Sequence, residues 1–223
     1  MPNWCSNKLC ISGPKEELAK FAGTFTNESG EPEFKLNQTV PMPQILRDVC
    51  TGSCMIDGVR HNTWKEIEVD GKRVQIAFTQ EEKDEFKKIG YPSWYEWAIA
   101  NWGTKWDVQE ANTLISDEYI IVHFDTAWSP PVNWLETVST MYPLLKFEIF
   151  CSEGGACFYG TITAQNGEVS EDMHKDFWKE SDDSEETDEE TDDEDDDGED
   201  ELFANTTENC RAFLSEHGLH TGG

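Results

Sequence analysis

Apolar and polar side chains alternate at the start of the chain. Asn7, Leu9 and Ile11 interleave with Lys8, Cys10 and Ser12, which predicts a strand ended by Gly13-Pro14. Pro14 suits a first helical turn, and Leu18, Phe21, Ala22 and Phe25 then fall at i, i+3, i+4 and i+7, one face of a helix. Far along the chain, Trp106 to Leu114 and Tyr119 to Asp125 read as two strands of a hairpin turning at Ser116-Asp117, with Ile120, Val122 and Phe124 on the buried face. Ser129-Pro130 signals a helix start, Leu135, Val138 and Met141 or Tyr142 continue it, and Pro143 stops it. Two further strands follow about the turn at Gly154-Gly155. Phe147, Ile149 and Cys151 form one inward row, and Phe158, Gly160, Ile162 and Ala164 the other.

Setting aside residues 31–104 leaves βαββαβ with one added strand. The predicted class is α+β: a ferredoxin-like split βαβ antiparallel sheet with helices on one face, formed by residues 1–30 and 105–166. Residues 31–104 are expected to form a mainly helical inserted subdomain. Within it, Ser93-Trp94-Tyr95-Glu96 is a capping-box signature, Trp97, Ala98 and Trp102 continue a short helix that Gly103 terminates, and Val40-Pro41-Met42-Pro43 reads as an extended edge.

Charge changes the picture at the far end. The 223 residues carry a formal net charge of −29, but 17 Asp and Glu residues lie between Glu180 and Glu201 with no Lys or Arg, leaving 29 acids against 17 bases elsewhere. A run of like charge with almost no apolar surface cannot offset its ordering entropy. Residues 167–201 are therefore expected to be an acidic, mostly disordered linker, and residues 202–218 an amphipathic helix built on Leu202, Phe203, Cys210, Phe213, Leu214 and His217 and stopped by Gly218. Seven irregularly spaced cysteines, and an N-terminus without a basic region followed by an apolar stretch, point to a reducing cytoplasm. No stretch approaches the ~20 apolar residues of a membrane span.

Three tryptophan-bearing segments carry the most specific signal: Met-Pro-Asn-Trp-Cys at residues 1–5, Asn-Trp-Gly-Thr-Lys-Trp-Asp at 101–107 and Thr-Ala-Trp-Ser-Pro-Pro at 126–131. In these the chain resembles the YubB-like family, plasmid- and phage-borne bacterial proteins with a ferredoxin-like domain, over most of residues 1–165. The resemblance implies that fold and a mobile-element setting; it implies no established activity, so no catalytic residue is carried over. On the residues themselves, Trp102, Trp106 and Trp128, with Lys105 and Asp107 as polar members, are candidates for a small-ligand or peptide groove. The competing reading is aromatic packing where the insertion folds back over the sheet, with Lys105 and Asp107 a surface ion pair.

Other chemistry is thinner. Cys50, Cys54 and His61 have partial zinc character but no evident fourth ligand, so no metal or cofactor is expected. Cys151 and Cys157 flank a turn and read as reduced core thiols. His123, Tyr119, Phe150 and Tyr159 fall on outward faces and suggest a base-stacking platform, but 17 scattered bases among 46 acids argue against direct nucleic-acid binding, and the insertion or C-terminal helix is expected to cover them. Gly154-Gly155-Ala156-Cys157-Phe158-Tyr159-Gly160 leads into a strand and lacks a Lys-Ser/Thr ending, so it is a turn rather than a phosphate loop. Asp107, His123, Asp125 and Glu153 are the carboxylates and imidazole placed near strand ends where an enzyme would need them. The leading expectation is a non-enzymatic phage or plasmid accessory protein. Its acidic surface, above all Asp188, Glu189, Glu190, Asp192, Asp193, Glu194, Asp195, Asp196 and Asp197, would bind and inhibit a host nucleic-acid-acting defence or restriction protein through that protein's basic surface. A plain solvating linker and a phosphorylated segment are the rival readings of the run. The alternative function is a small-ligand-binding or sequestering module using the tryptophan groove.

Overall fold

Strand β1 (Trp4–Ser12) is the middle of the molecule. In the computed structural model, which describes residues 3–27, 29–179 and 206–221, it pairs antiparallel on one side with β6 (Tyr119–Ala127) and on the other with β7 (Lys146–Glu153). With β5 (Ala111–Ile115), β8 (Phe158–Gln165) and β9 (Glu168–His174) the six-stranded order is β5-β6-β1-β7-β8-β9. The first four are the ferredoxin-like arrangement, in which β1 runs between two strands joined by a helix. Helices α1 (Lys15–Gly23) and α5 (Val132–Met141) bury Leu18, Phe21, Leu135 and Val138 against Leu9, Ile11, Val122, Phe147 and Ile149 on one face.

The insertion shares this core rather than standing apart from it. Phe34 packs edge-on to Phe25 and Trp134, and the Trp134 indole N–H donates to Thr39 Oγ1 at 2.7 Å. Leu36, which opens a short 3₁₀ turn (Leu36–Gln38), is fully buried, as is Leu46 of α2 (Gln44–Arg47). Beyond α2 the chain forms a separate three-stranded sheet, β2 (Cys50–Ile56), β3 (Val59–Val69) and β4 (Lys72–Ile76). Helices α3 (Gln80–Ile89) and α4 (Trp94–Trp102) then lead back to the core. This sheet adds strand content to a region expected to be mainly helical. Its longest strand is almost entirely solvent-facing, so it carries no core-directed alternation to announce it.

Several boundaries differ from expectation for local reasons. β5 starts at Ala111 instead of Trp106, because the Lys35 ammonium takes the carbonyls of Val108 and Gln109 (2.7 and 2.6 Å) that a longer strand would use. α5 starts after Pro131, and Ser129 donates its hydroxyl to Gly103 O at 2.7 Å instead of capping the helix. The ordered chain also continues past residue 167, where the linker was expected, as β9 pairs along β8 through an Asn166-Gly167 turn with φ of 51° and 82°.

The opposite sheet face is covered in part by α6 (Glu208–His217), capped by Thr207 and ended by Gly218 in the left-handed region. Phe150 stacks on His217 at 3.8 Å and 11°, and Tyr159, Phe177, Cys210 and Leu214 form a second small core. The aromatic row Phe150 and Tyr159 is therefore a docking seat for α6.

Gly103 is the joint between the insertion and the core. It ends α4 with φ +84°, and a Cβ there would lie 3.1 and 3.2 Å from the Val132 and Asn133 nitrogens at the start of α5. Asn133 in turn donates to Ile99 O and Ala100 O (3.0 and 3.1 Å), binding the two helices. Gly103→Ala is expected to lower unfolding free energy by about 1–3 kcal/mol through left-handed strain and crowding. Urea denaturation checks this, and an unchanged midpoint would show that the α4–α5 approach does not depend on this residue.

Candidate functional site

The segment that leaves α4 and enters β5 builds one wall of a tryptophan-lined concavity. A cavity of about 390 Å³ is lined by Asn37 and Met42 of the segment leading into α2, Arg47 of α2, Trp94 and Trp102 of α4, and Lys105, Trp106 and Asp107. Each wall has a structural cause. Trp102 is 4% exposed and its indole N–H donates to Val40 O at 2.9 Å, so it anchors the Val40–Met42 segment to α4. Trp94 and Trp106 are half-buried and offer their ring surfaces to the cavity. Trp106 also leans on Trp4 of β1, centroids 6.0 Å apart, which ties the groove to the central strand.

Asp107 is the knot of the site. One carboxylate oxygen accepts the N–H of Leu36 (2.7 Å) and of Val108 (2.8 Å), and the other that of Asn37 (3.4 Å). Burial pushes its carboxyl above the ordinary value, against the opposing pull of those backbone donors and of Lys35. Lys105 makes no ion pair with it. The ammonium lies over the ring of Trp106 at 4.4 Å and that of Trp128 at 4.9 Å, so the expected Lys105–Asp107 pair is replaced by a cation held between two indoles. Trp128 sits on the far side of Lys105, outside the cavity lining, 39% exposed and with φ +71°, its backbone N–H bonded to Asn3 O at 3.0 Å. The structure thus gathers Trp102, Lys105, Trp106 and Asp107 into one lining and holds Trp128 behind Lys105. It adds Trp94, Arg47, Asn37 and Met42. Of these, Trp94 stood in the capping-box signature and Met42 in the extended segment; Arg47 and Asn37 carried no sequence signal.

The remaining candidates are dispersed. Cys54 faces His61 across β2–β3, but Cys50 pairs with Trp64 beyond a bulge, and Cys54 Sγ contacts Gln75 Oε1 at 2.7 Å. Among the described residues no group of three or more His, Cys, Asp or Glu side chains is placed to hold a metal ion. Glu153 is buried and accepts the N–H groups of Gly155 (2.8 Å) and Ala156, so it shapes the β7–β8 turn. His123 and Asp125 lie on the outer face of β6, where Asp125 meets His220 at 3.3 Å and both help line a polar hollow with Glu110, Asn112 and Gly218. Asp107, Glu153 and the His123–Asp125 pair therefore occupy three separate places and do not assemble one catalytic constellation. The acidic positions Asp188 to Asp197 lie outside the described residues. No helix among the described residues is long and apolar enough to cross a membrane.

The α6 seat carries a proton-linked element. Burial pushes the His217 imidazole below its ordinary value, as does Lys8, while Glu216 and Glu148 pull the other way. A depressed imidazole contributes docking stability above its ordinary pKa, and loses it as pH falls through the folded value. Amide exchange within α6 should accelerate relative to β1 between about pH 7.5 and about pH 5. His217→Phe should flatten that change; the same slope in both proteins would remove His217 from the linkage.

No curated protein matches the chain. Among solved structures, the crystal structure of the protein api92 from Yersinia pseudotuberculosis is similar at 10% identity and a TM-score of 0.45, over 77% of this chain and 98% of that one. A more specific likeness lies in the sequence itself, and it leaves the central strand β1 outside its range. Residues 101–199, which run from the end of α4 past β9 into the acidic run, match the family described as the ferredoxin-like domain in Api92-like protein, and the α+β fold of this chain is ferredoxin-like.

Proposed function

We propose that this protein is a non-enzymatic binding module whose tryptophan-lined groove holds a small molecule with a flat ring. The supporting observation is the groove itself: about 390 Å³, walled by Trp94, Trp102 and Trp106, with a few polar groups at fixed places. This is the size and make-up of a small-ligand site, mostly apolar with sparse orienting groups. Packing accounts for Trp102, which is buried and hydrogen-bonded. Trp94 packs partly against the core and Trp106 against Trp4, yet both are only half-buried and line the cavity. A flat ligand gains both dispersion and ring-stacking from such walls. The scattering of Asp107, Glu153, His123 and Asp125 favours binding over catalysis.

Trp106→Ala and Trp94→Ala should each weaken binding of flat-ringed ligands by about ten-fold or more, the scale of one lost stacking contact. Calorimetric titration reads this, with circular dichroism as the control for folding. Unfolded variants would assign the rings to packing, and undiminished binding by folded variants would overturn the groove.

A second reading rests on charge. Trp178 and Thr206 form an antiparallel bridge, and the Thr207 backbone N–H bonds Phe177 O at 3.0 Å, so the two flanks of the acidic segment leave the folded domain side by side. A run so dense in carboxylates suits a basic, nucleic-acid-binding surface of a host protein, in keeping with a YubB-like accessory protein of a phage or plasmid. Deleting Glu180 to Glu201 should leave the unfolding midpoint unchanged while abolishing inhibition of such a partner. Inhibition by the deletion variant would move that interface to the folded domain.

A further inference from the structure

Among the described residues, the side chains of the groove offer more open hydrogen-bond donors than acceptors. Asn37 shows this most clearly. Its Oδ1 accepts the Met42 backbone N–H at 2.9 Å and also a guanidinium N–H of Arg47, which fixes the amide orientation and leaves Nδ2 as the free end. Arg47 spends one N–H on that contact and makes no ion pair among the described residues, although it also borders a second hollow with Asp48, Glu66 and Glu68. Lys105 has indole faces around its ammonium and no oxygen acceptor among the described residues. The Trp94 and Trp106 indole N–H groups, which belong to residues of the lining, are donors by chemistry.

The acceptor side is closed. Asp107, the one carboxylate in the lining, has both oxygens turned to backbone N–H groups of Leu36, Asn37 and Val108. A ligand entering here meets two cations, an amide donor and indole donors, with no open carboxylate. A neutral or cationic ring would leave those donors without partners, whereas a carboxylate or phosphate supplies several acceptor lone pairs and a compensating charge.

Resting on the groove reading above, we infer that the ligand class is a planar ring bearing an anionic group, a carboxylate or a phosphate, with the ring between Trp94 and Trp106 and the anion at Arg47 and Asn37. Lys105 supplies long-range attraction but is committed to the indoles, so Arg47 is the principal charge-reading residue. Its planar fork matches two oxygens of either group. The volume suits one ring system with its substituent and excludes a polymer as the seated species.

Matched probe pairs test this on the full chain by calorimetry and tryptophan fluorescence: indole-3-carboxylate against indole-3-carboxamide, adenosine 5′-monophosphate against adenosine, and tryptamine as the cationic control. At least one anionic probe is expected to bind about ten-fold or more tightly than its neutral partner, the scale of a charge-assisted contact. Which pair shows the preference identifies carboxylate or phosphate. Arg47→Gln should erase that preference while leaving the neutral probe's affinity unchanged, and Arg47→Lys should restore part of it. Neutral and anionic probes binding equally, or tryptamine binding best, would overturn the anion inference and leave the groove reading standing. No probe binding the wild-type protein at millimolar concentration would overturn both.

Discussion

Strand β1 has hydrogen-bonding partners on both sides, and both come from more than a hundred residues later: Ser6 lies opposite Asp125 on one edge and Ser152 on the other. The sheet therefore cannot close around its centre until the chain has left the core after α1 and come back. Everything between Phe25 and Ala111 is subject to that demand. The return is secured by polar contacts, with Asp107 and Lys35 joining the 34–37 segment to the 107–109 segment. Non-local closure of this kind carries a loop-entropy cost that only long-range contacts offset. Phe34 and Leu36, driven into the same core as Leu9 and Ile11, supply the apolar part.

That geometry explains why the groove lies where it does. The 105–107 segment is pulled from one side by the insertion and from the other by β1 through Trp4. A segment so held cannot pair as a strand, and its side chains face a recess instead of a neighbouring strand. The same clamp that shortens β5 exposes Trp106. It also spends the charge of Asp107 on backbone donors, and this makes the groove short of acceptors.

The core of the fold was readable from sequence because its strands face a core on one side. Leu9 and Ile11, Ile120 and Val122, and Phe147 and Ile149 alternate as half-buried strands do, and all are buried. The β2–β3–β4 sheet and β9 were missed because their side chains mostly meet solvent, so apolar alternation is weak. A different signal was present. Asp57-Gly58, Asp70-Gly71 and Asn166-Gly167 are the dipeptides of two-residue hairpins, and all three pairs have positive φ. Turn chemistry would have placed three strand pairs that periodicity could not. The groove was half visible for a related reason: tryptophans are conspicuous, but Arg47 and Asn37 reach it only through the fold. The pairing of Lys105 with Asp107 failed because adjacency in sequence says nothing about the burial that turns Asp107 inward.

An anion-directed groove in a chain of net charge −29 needs an electrostatic argument of its own. Range decides it. At physiological ionic strength the Debye length is about 8 Å, so exposed carboxylates farther off than that are largely screened from a ligand in the groove. Arg47 and the Asn37 amide act at contact distance at the edge of a recess walled by indoles, with Lys105 adding attraction from farther off. The overall negative potential then slows the approach of an anion more than it weakens the bound state, because steering depends on the far field and the bound state on local donors. Net charge and site charge can thus differ in sign without contradiction. Acidity distributed over the surface discourages loosely held anions, while one recess stripped of open acceptors retains those that bring a ring to stack.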